Sequence, residues 1–280
     1  MLKSVAIIGC GWLGHALAKQ LLIEQYRVTV TVQSEEKKQK LCEENINAEQ
    51  LSLPVLDPKS LVLSVFTHET LIIAITPQLR QGRSDYPEKV AQLVEMAELG
   101  NVKKIVLLST TAVYNGLSGL VDEQSVLDMS ADKVAIINAA EQTVRSFSGT
   151  SVILRLAGLV GPERHPGRFL QGKKVLAEPQ SFINLIHQDD AVGVLMEIIA
   201  NEDISGTYNA VSATETSKQH YYHAAANALN LPAPEFSFET SMRFGKRIND
   251  AKLRNSFNYQ FTHDDLIVWL YKSVVGLYDV

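Results

Sequence analysis

Gly9, Gly11 and Gly14 stand in the spacing G-x-G-x-x-G, within Gly9-Cys10-Gly11-Trp12-Leu13-Gly14. The chemistry such a segment can do is to hold a pyrophosphate. Gly9 permits a tight turn, Gly11 lets the backbone approach the phosphates, and Gly14 lets a helix pack close to a strand. A helix beginning at Trp12 and Leu13 offers N–H groups and a positive dipole end to an anion. Spacing alone is weak, because an ordinary strand–helix turn can carry the same glycines. The flanks strengthen it. Val5-Ala6-Ile7-Ile8 is a continuous apolar run before it, and Leu13, Leu17 and Leu21 share one helical face after it. With a second strand over Arg27–Val32, the segment reads as a dinucleotide-binding turn.

The end of that second strand bears on which dinucleotide. An Asp or Glu there would bind a ribose 2′-OH, but this chain has Gln33-Ser34. Without the acid there is no repulsion against a 2′-phosphate, which tilts the expectation from NAD towards NADP. Lys37 and Lys38 follow, either facing that phosphate or forming a solvated helix face. Further along, Arg164, His165 and Arg168 fall in one loop, where two guanidinium forks suit a carboxylate- or phosphate-bearing small molecule. The alternative there is a solvated loop. His220 and His223 are three apart without a third ligand near in sequence, so no metal site is expected.

These residues need elements to position them. Strand-like runs at Val5–Ile8, Arg27–Val32, Leu71–Ile75, Lys104–Leu108 and Ser151–Leu156 alternate with helical stretches at Leu13–Glu24, Glu35–Glu44, Asp85–Leu99 and Val134–Ser146. Asp85, with Glu88 three residues on, has the spacing of a capping box, and Thr76-Pro77 ends the third strand. Alternation of this kind predicts parallel βαβ units in an α/β, Rossmann-like doubly wound sheet. From Val160 the texture changes to Gly/Pro loops and shorter helices, with aromatic residues clustered from Tyr208 to Phe261. The expected organisation is a Rossmann domain over 1–160, with segments near 183–211 returning to it, and a smaller substrate lobe over most of 161–280.

Bulk composition narrows the class. The chain has 280 residues, 46% hydrophobic and 20% charged, and a net charge of −5. That is enough apolar material for a sizeable core, and a poor match to the concentrated positive charge of nucleic-acid binders. Two cysteines, Cys10 and Cys42, make no disulfide framework and point to a reducing compartment. The apolar run at the N-terminus is too short for a secretory signal, and no run approaches the roughly 18 residues of a membrane span. A cytoplasmic protein with no nucleic-acid or membrane partner is expected.

Several segments together carry a family resemblance. They are Ile7 to Gly14, Leu108-Ser109-Thr110-Thr111-Ala112-Val113-Tyr114-Asn115, Leu154 to Pro162, His165 to Phe169, Ile183 to Asp190 and Gly206-Thr207-Tyr208-Asn209. With these the chain resembles the extended short-chain dehydrogenase/reductase superfamily, its nucleotide-sugar epimerase/dehydratase group, and within that the atypical YeeZ-type subgroup. The resemblance implies an NAD(P)-dependent oxidoreductase or epimerase/dehydratase. It implies cofactor contacts at Gly9, Gly11, Trp12, Leu13, Gly14, Gln33, Ser34, Thr76, Pro77 and Ser109. It gives Thr110 the role of hydrogen-bonding the reacting carbonyl or hydroxyl, the alternative being that Thr110 only closes its strand. Relatives pair through two helices corresponding to Val90–Met96 and Ala135–Val144, which implies a homodimer.

One departure matters. Members of the superfamily carry Tyr-x-x-x-Lys on the helix after the fifth strand, where the Lys charge lowers the phenol pKa. No Tyr lies between Tyr114 and Tyr208. Aligning Glu141 with the family's Glu puts Lys133 at the Tyr site and Ile137 at the Lys site. Proton transfer would then fall to Lys133, His165 or His187, or else the protein binds the dinucleotide as a sensor without turning it over. His187, beside a helix cap expected at Asp190, is read as structural; Lys133 reads equally as a ribose contact or a surface charge.

Overall fold

The computed structural model describes residues 3–57, 63–170, 174–175, 178–236 and 245–275. Part of the aromatic cluster expected over Tyr208–Phe261, residues 237–244, lies outside that set. Along the chain the elements are β1 (Ser4–Ile8), α1 (Trp12–Ile23), β2 (Arg27–Val32), α2 (Glu35–Glu43), β3 (Asn47–Gln50), β4 (Thr70–Ile73), α3 (Tyr86–Leu99), β5 (Lys104–Thr110), β6 (Gly119–Val121) and α4 (Asp132–Arg145). There follow β7 (Thr150–Leu156), β8 (Gly158–Val160), β9 (Lys174–Val175), β10 (Leu185–His187), α5 (Gln188–Ala200), β11 (Gly206–Ala210), α6 (Lys218–Ala228), β12 (Glu235–Phe236), β13 (Lys246–Ile248), α7 (Ala251–Ser256) and α8 (Leu266–Val275).

Seven strands form one sheet in the order β11-β7-β5-β4-β1-β2-β3. The pairs β1–β2, β1–β4, β2–β3 and β4–β5 are parallel. This is the Rossmann-like doubly wound arrangement. From β1 the chain winds outward through β2 and β3, then returns to the other side for β4 and β5. The order therefore reverses at β1, and the crevice beyond the strand ends there is where such sheets bind ligands. The apolar runs form these strands because both faces are covered: Ser4–Ile8 and Thr70–Ile73 are buried throughout. β3 was not expected from sequence. Its Asn-Ala-Glu-Gln composition is polar because it is an edge strand, with Asn47 and Gln50 exposed.

The chain divides into two compact units. The first comprises Met1–Val113, Met129–Arg155 and Val194–Tyr208; the second comprises Tyr114–Asp128, Leu156–Gly193 and Asn209–Val280. The segment Tyr114–Asp128, expected in the N-terminal domain, groups with the second unit. Pairing explains this: β6 lies parallel to β13, Glu123 accepts from the Asn209 amide at 2.6 Å, and the Tyr114 hydroxyl donates to Asn209 Oδ1 at 2.8 Å. Ile183–Gly193 also belongs there, because β10 pairs with β8.

In the first unit, α3 and α4 pack on each other, and Val90, Leu93, Val94, Met96, Ala97, Ala140 and Val144 join one core with β1, β4, β5 and β7. Not every apolar residue of α4 is enclosed: Ala135 and Ile136 are partly buried and Ala139 is exposed. Lys104 starts β5 fully within the structure, and its ammonium donates to the Ile198 and Asn201 carbonyls at 2.8 and 2.6 Å. A cation there complements the C-terminal dipole of α5.

Candidate functional site: a glycine-floored cleft

The glycine turn is held by Thr31, a residue that motif spacing did not single out. The Gly9 amide donates to Thr31 Oγ1 at 3.1 Å and the Cys10 amide to the Thr31 carbonyl at 2.8 Å. Gly9 has φ +97, a conformation that L side chains avoid. A Cβ on Gly14 would come 2.8 Å from the Gly9 carbonyl oxygen, so Gly14 is required by the approach of α1 to the turn. Gly11 differs. Its φ is −89, and a Cβ there would meet nothing within 4 Å among the described residues. Neither packing nor backbone geometry requires this glycine, whereas a ligand lying against the backbone would. As N-cap of α1 it also supplies no capping side chain to the first-turn N–H groups.

Above the turn lies a cleft of about 330 Å³, at the lower end of the range for small-molecule sites. Its walls come from the carboxyl ends of the strands: Ile8, Thr31–Gln33, Leu51 and Ala74–Thr76. Leu53 and Gln78 complete the wall, together with the side chains of Lys37 and Lys89. Two cations and, among the described residues, no carboxylate line it. On α2, Lys38 and Lys40 are tied to Glu35 and Glu36 at 3.4 and 2.7 Å. Lys37 faces the cleft with no ion pair among the described residues, so the two neighbouring lysines part company. Cys10 also lines the cleft; burial, then the Glu44 charge, pushes its thiol up to about 11, so it stays a neutral thiol.

Of the expected cofactor residues, Gly9, Gly11, Gln33 and Thr76 line this cleft. Trp12, Leu13 and Gly14 form the first turn of α1 beside it. Ser34 caps α2, accepting from the Lys37 amide at 3.4 Å. Pro77 follows Thr76 in the loop after β4. Ser109 is buried, and its hydroxyl donates to Glu141 at 2.6 Å. Asp85, expected to cap α3, makes no side-chain cap bond; its carboxylate is taken by Arg83 and Lys89 instead.

Glu141 is fully buried. Besides Ser109 it receives Arg155 Nε at 3.0 Å and Nη2 at 2.6 Å, and Arg145 at 3.0 Å. This network fixes α4 against β5 and β7. Ile137 is 1% exposed, a core residue. Lys133 is half-buried in the first turn of the same helix. Thr110 ends β5, and its Oγ1 accepts from the Ala112 amide at 3.1 Å, which leaves its proton for donation. Tyr114, the nearest phenol before α4 in sequence, is fully buried, and its hydroxyl donates to Asn209 Oδ1.

The remaining expected residues lie in the second unit. Arg164 and Arg168 are exposed, while His165 accepts from the Gly167 amide at 3.2 Å and stacks on Trp269 at 5.5 Å. Burial lowers the His165 pKa, with Arg168 adding to the effect. His187 is 2% exposed and packs against His263 and Trp269 at 4.0 and 4.8 Å. Asp190 does not act as the expected helix cap. Its carboxylate binds the Tyr259 hydroxyl and the Thr262 and His263 amides at 2.9, 2.6 and 3.0 Å. His223 is hydrogen-bonded to the Pro234 carbonyl at 3.1 Å.

The family described as NAD(P)H-binding matches residues 9–218, a span that begins on the first glycine of the turn. The chain belongs to that NAD(P)H-binding family. Protein YeeZ of Escherichia coli K12 is 29% identical over 271 residues, which is 95% of this chain and 98% of YeeZ. Among solved structures, a functionally unknown conserved protein from Silicibacter pomeroyi aligns with a TM-score of 0.78 at 21% identity, over 99% of both chains. UDP-glucuronic acid 4-epimerase from Bacillus cereus, in complex with NAD, aligns with a TM-score of 0.75 at 15% identity, over 98% of this chain and 99% of the epimerase. The fold is therefore that of NAD-dependent epimerase/dehydratase proteins. Among the described residues no helix is long and apolar enough to cross a membrane.

Proposed function

We propose that the protein binds a nicotinamide dinucleotide in the cleft above Gly9–Gly14, with NADP(H) preferred to NAD(H). Gly11 carries this reading. It is the one glycine of the motif whose missing side chain meets nothing among the described residues, and it lies in a cleft that, among those residues, is lined by lysine and by no acid. The residues fit the group: backbone N–H at the start of α1 for the pyrophosphate, and Gln33 with Lys37, which has no ion pair among the described residues, for a 2′-phosphate. Calorimetric titration with NADPH and NADH is the test. Binding of both, tighter for NADPH, is expected; binding of neither overturns the reading. Lys37→Met should remove the preference and leave NADH affinity unchanged.

When bound, the dinucleotide supplies hydride transfer. The chain's own contribution to such a reaction is a hydroxyl donor at Thr110 and an ammonium at Lys133, the latter in place of a tyrosine. On this reading the protein is an atypical oxidoreductase or epimerase/dehydratase-like enzyme acting on a small molecule; in the second unit, Arg164, His165 and Arg168 are the groups suited to a carboxylate or phosphate. UDP-sugars, the chemistry of the B. cereus relative, are the first panel to assay. Thr110→Ala and Lys133→Met should each lower turnover by tenfold or more while leaving cofactor affinity unchanged.

A second reading is favoured by one observation. Ile137 is sealed in the core, so the position that aligns with the superfamily's Lys holds no charge with which to tune a proton donor. A sensor that binds the dinucleotide without turning it over needs none. Absence of NAD(P)H oxidation across carbonyl and sugar-nucleotide panels, together with full biological effect from Thr110→Ala, would establish that reading over the enzymatic one.

A further inference from the structure

Lys89 is the second cation of the cleft, and neither motif spacing nor the family resemblance points to it. It comes from the first turns of α3, and its side chain is only 11% exposed. Withdrawing an ammonium from water is costly unless something compensates the charge. Its ion-pair partner is Asp85, Nζ to Oδ2 at 3.0 Å. That carboxylate is already held by Arg83, whose Nε and Nη2 reach Oδ1 and Oδ2 at 3.3 and 2.6 Å. The Arg83 fork, and Lys89 after it, pull the Asp85 carboxyl down to about 2, so it is ionised at neutral pH. An ammonium has three donors. One is engaged on a carboxylate oxygen, Asp85 Oδ2, that Arg83 also holds, and the side chain itself lines the cleft.

We propose that Lys89 is a phosphate-binding residue of the cleft, positioned by the Arg83–Asp85 pair to hold the pyrophosphate common to NADH and NADPH. This rests on the dinucleotide reading above. The division of labour with Lys37 follows from chemistry. A lysine on the 2′-phosphate discriminates between the two dinucleotides, whereas a lysine on the pyrophosphate strengthens both alike. Fixing the ammonium before the ligand arrives lowers the ordering cost of binding.

Calorimetric titration of the full chain with NADH and with NADPH separates these roles. Lys89→Met should weaken both by a similar factor, about tenfold or more for the loss of a charge-assisted hydrogen bond. Lys89→Arg should stay within about threefold of wild type, and the thermal midpoint of each variant checks that it is folded. Unchanged affinities for Lys89→Met, with wild type binding both ligands, overturn the proposal and leave the dinucleotide reading intact. Weakening confined to NADPH also overturns it, by moving Lys89 to the 2′-phosphate. Should Lys89→Met not fold, lysine acetylation read by mass spectrometry on the wild-type chain gives the answer. Saturating NADH should protect Lys89 at least fivefold; undiminished labelling overturns the proposal. A wild-type chain that binds neither ligand overturns the dinucleotide reading, and this inference with it.

Discussion

Gly11 separates folding from binding at a single position. Its φ of −89 is open to any L residue and a Cβ has room, so Gly11→Ala should leave the denaturation midpoint unchanged or slightly raised. On the dinucleotide reading proposed above, the same methyl would stand where the pyrophosphate meets backbone, so dinucleotide affinity should fall about tenfold or more. Paired denaturation and calorimetry check this; equal affinity would mean that the ligand does not approach that turn. Glu141 is the opposite kind of residue. Its carboxylate has no solvent and faces two arginines and a serine. Glu141→Gln removes the carboxylate charge that Arg155, itself 3% exposed, binds through two nitrogens, and should cost about 3 kcal/mol or more in urea denaturation. A cost under about 1 kcal/mol would show that the pair contributes little.

At the scale of elements, α1 must lie close enough to the end of β1 for its N-terminus to reach the cleft. Gly14 sets that distance. Gly14→Ala gains helix propensity of up to about 1 kcal/mol but drives a methyl to 2.8 Å from the Gly9 carbonyl, a backbone atom with little freedom to move. The clash should win by about 1–3 kcal/mol, and cofactor affinity should fall with it as α1 is displaced. Unchanged stability in a denaturant melt would mean that α1 slides freely. Within the central sheet, five of the seven strands were legible in the sequence: β1, β4, β5 and β7 as apolar runs covered on both faces, and β2 as a β-branched alternation of Val and Thr. β3 was not, since an edge strand with exposed Asn47 and Gln50 carries no such signal. The cap expected at Asp85 failed for a related reason: spacing places a carboxylate near the helix start but cannot show that Arg83 and Lys89 compete for it.

For the molecule as a whole, acid should destabilise the fold through His187. Burial first, then the neighbouring His263, lowers its pKa from 6.5 to about 4, with Asp189 opposing. Between those values the unfolded chain takes up a proton that the folded chain refuses. Stability therefore falls as pH drops from 6.5 towards 4, and this contribution levels off below. The urea midpoint should drop between pH 7 and pH 5, and His187→Gln should lessen the drop; an equal drop in the variant would assign the acid sensitivity elsewhere.

What the sequence determined by itself was the parallel α/β sheet, the glycine turn at its first crossover, and the absence of tyrosine from α4. Each is a local property: period, spacing, or the identity of one residue. Tertiary structure decided the rest. It turned Lys37 into the cleft and left Lys38 on Glu35, brought Lys89 in from α3, committed Tyr114 to Asn209, and drew Tyr114–Asp128 into the second unit. These depend on which side chains meet across tens or hundreds of residues, and the short-range periodicity of a chain holds no record of such meetings.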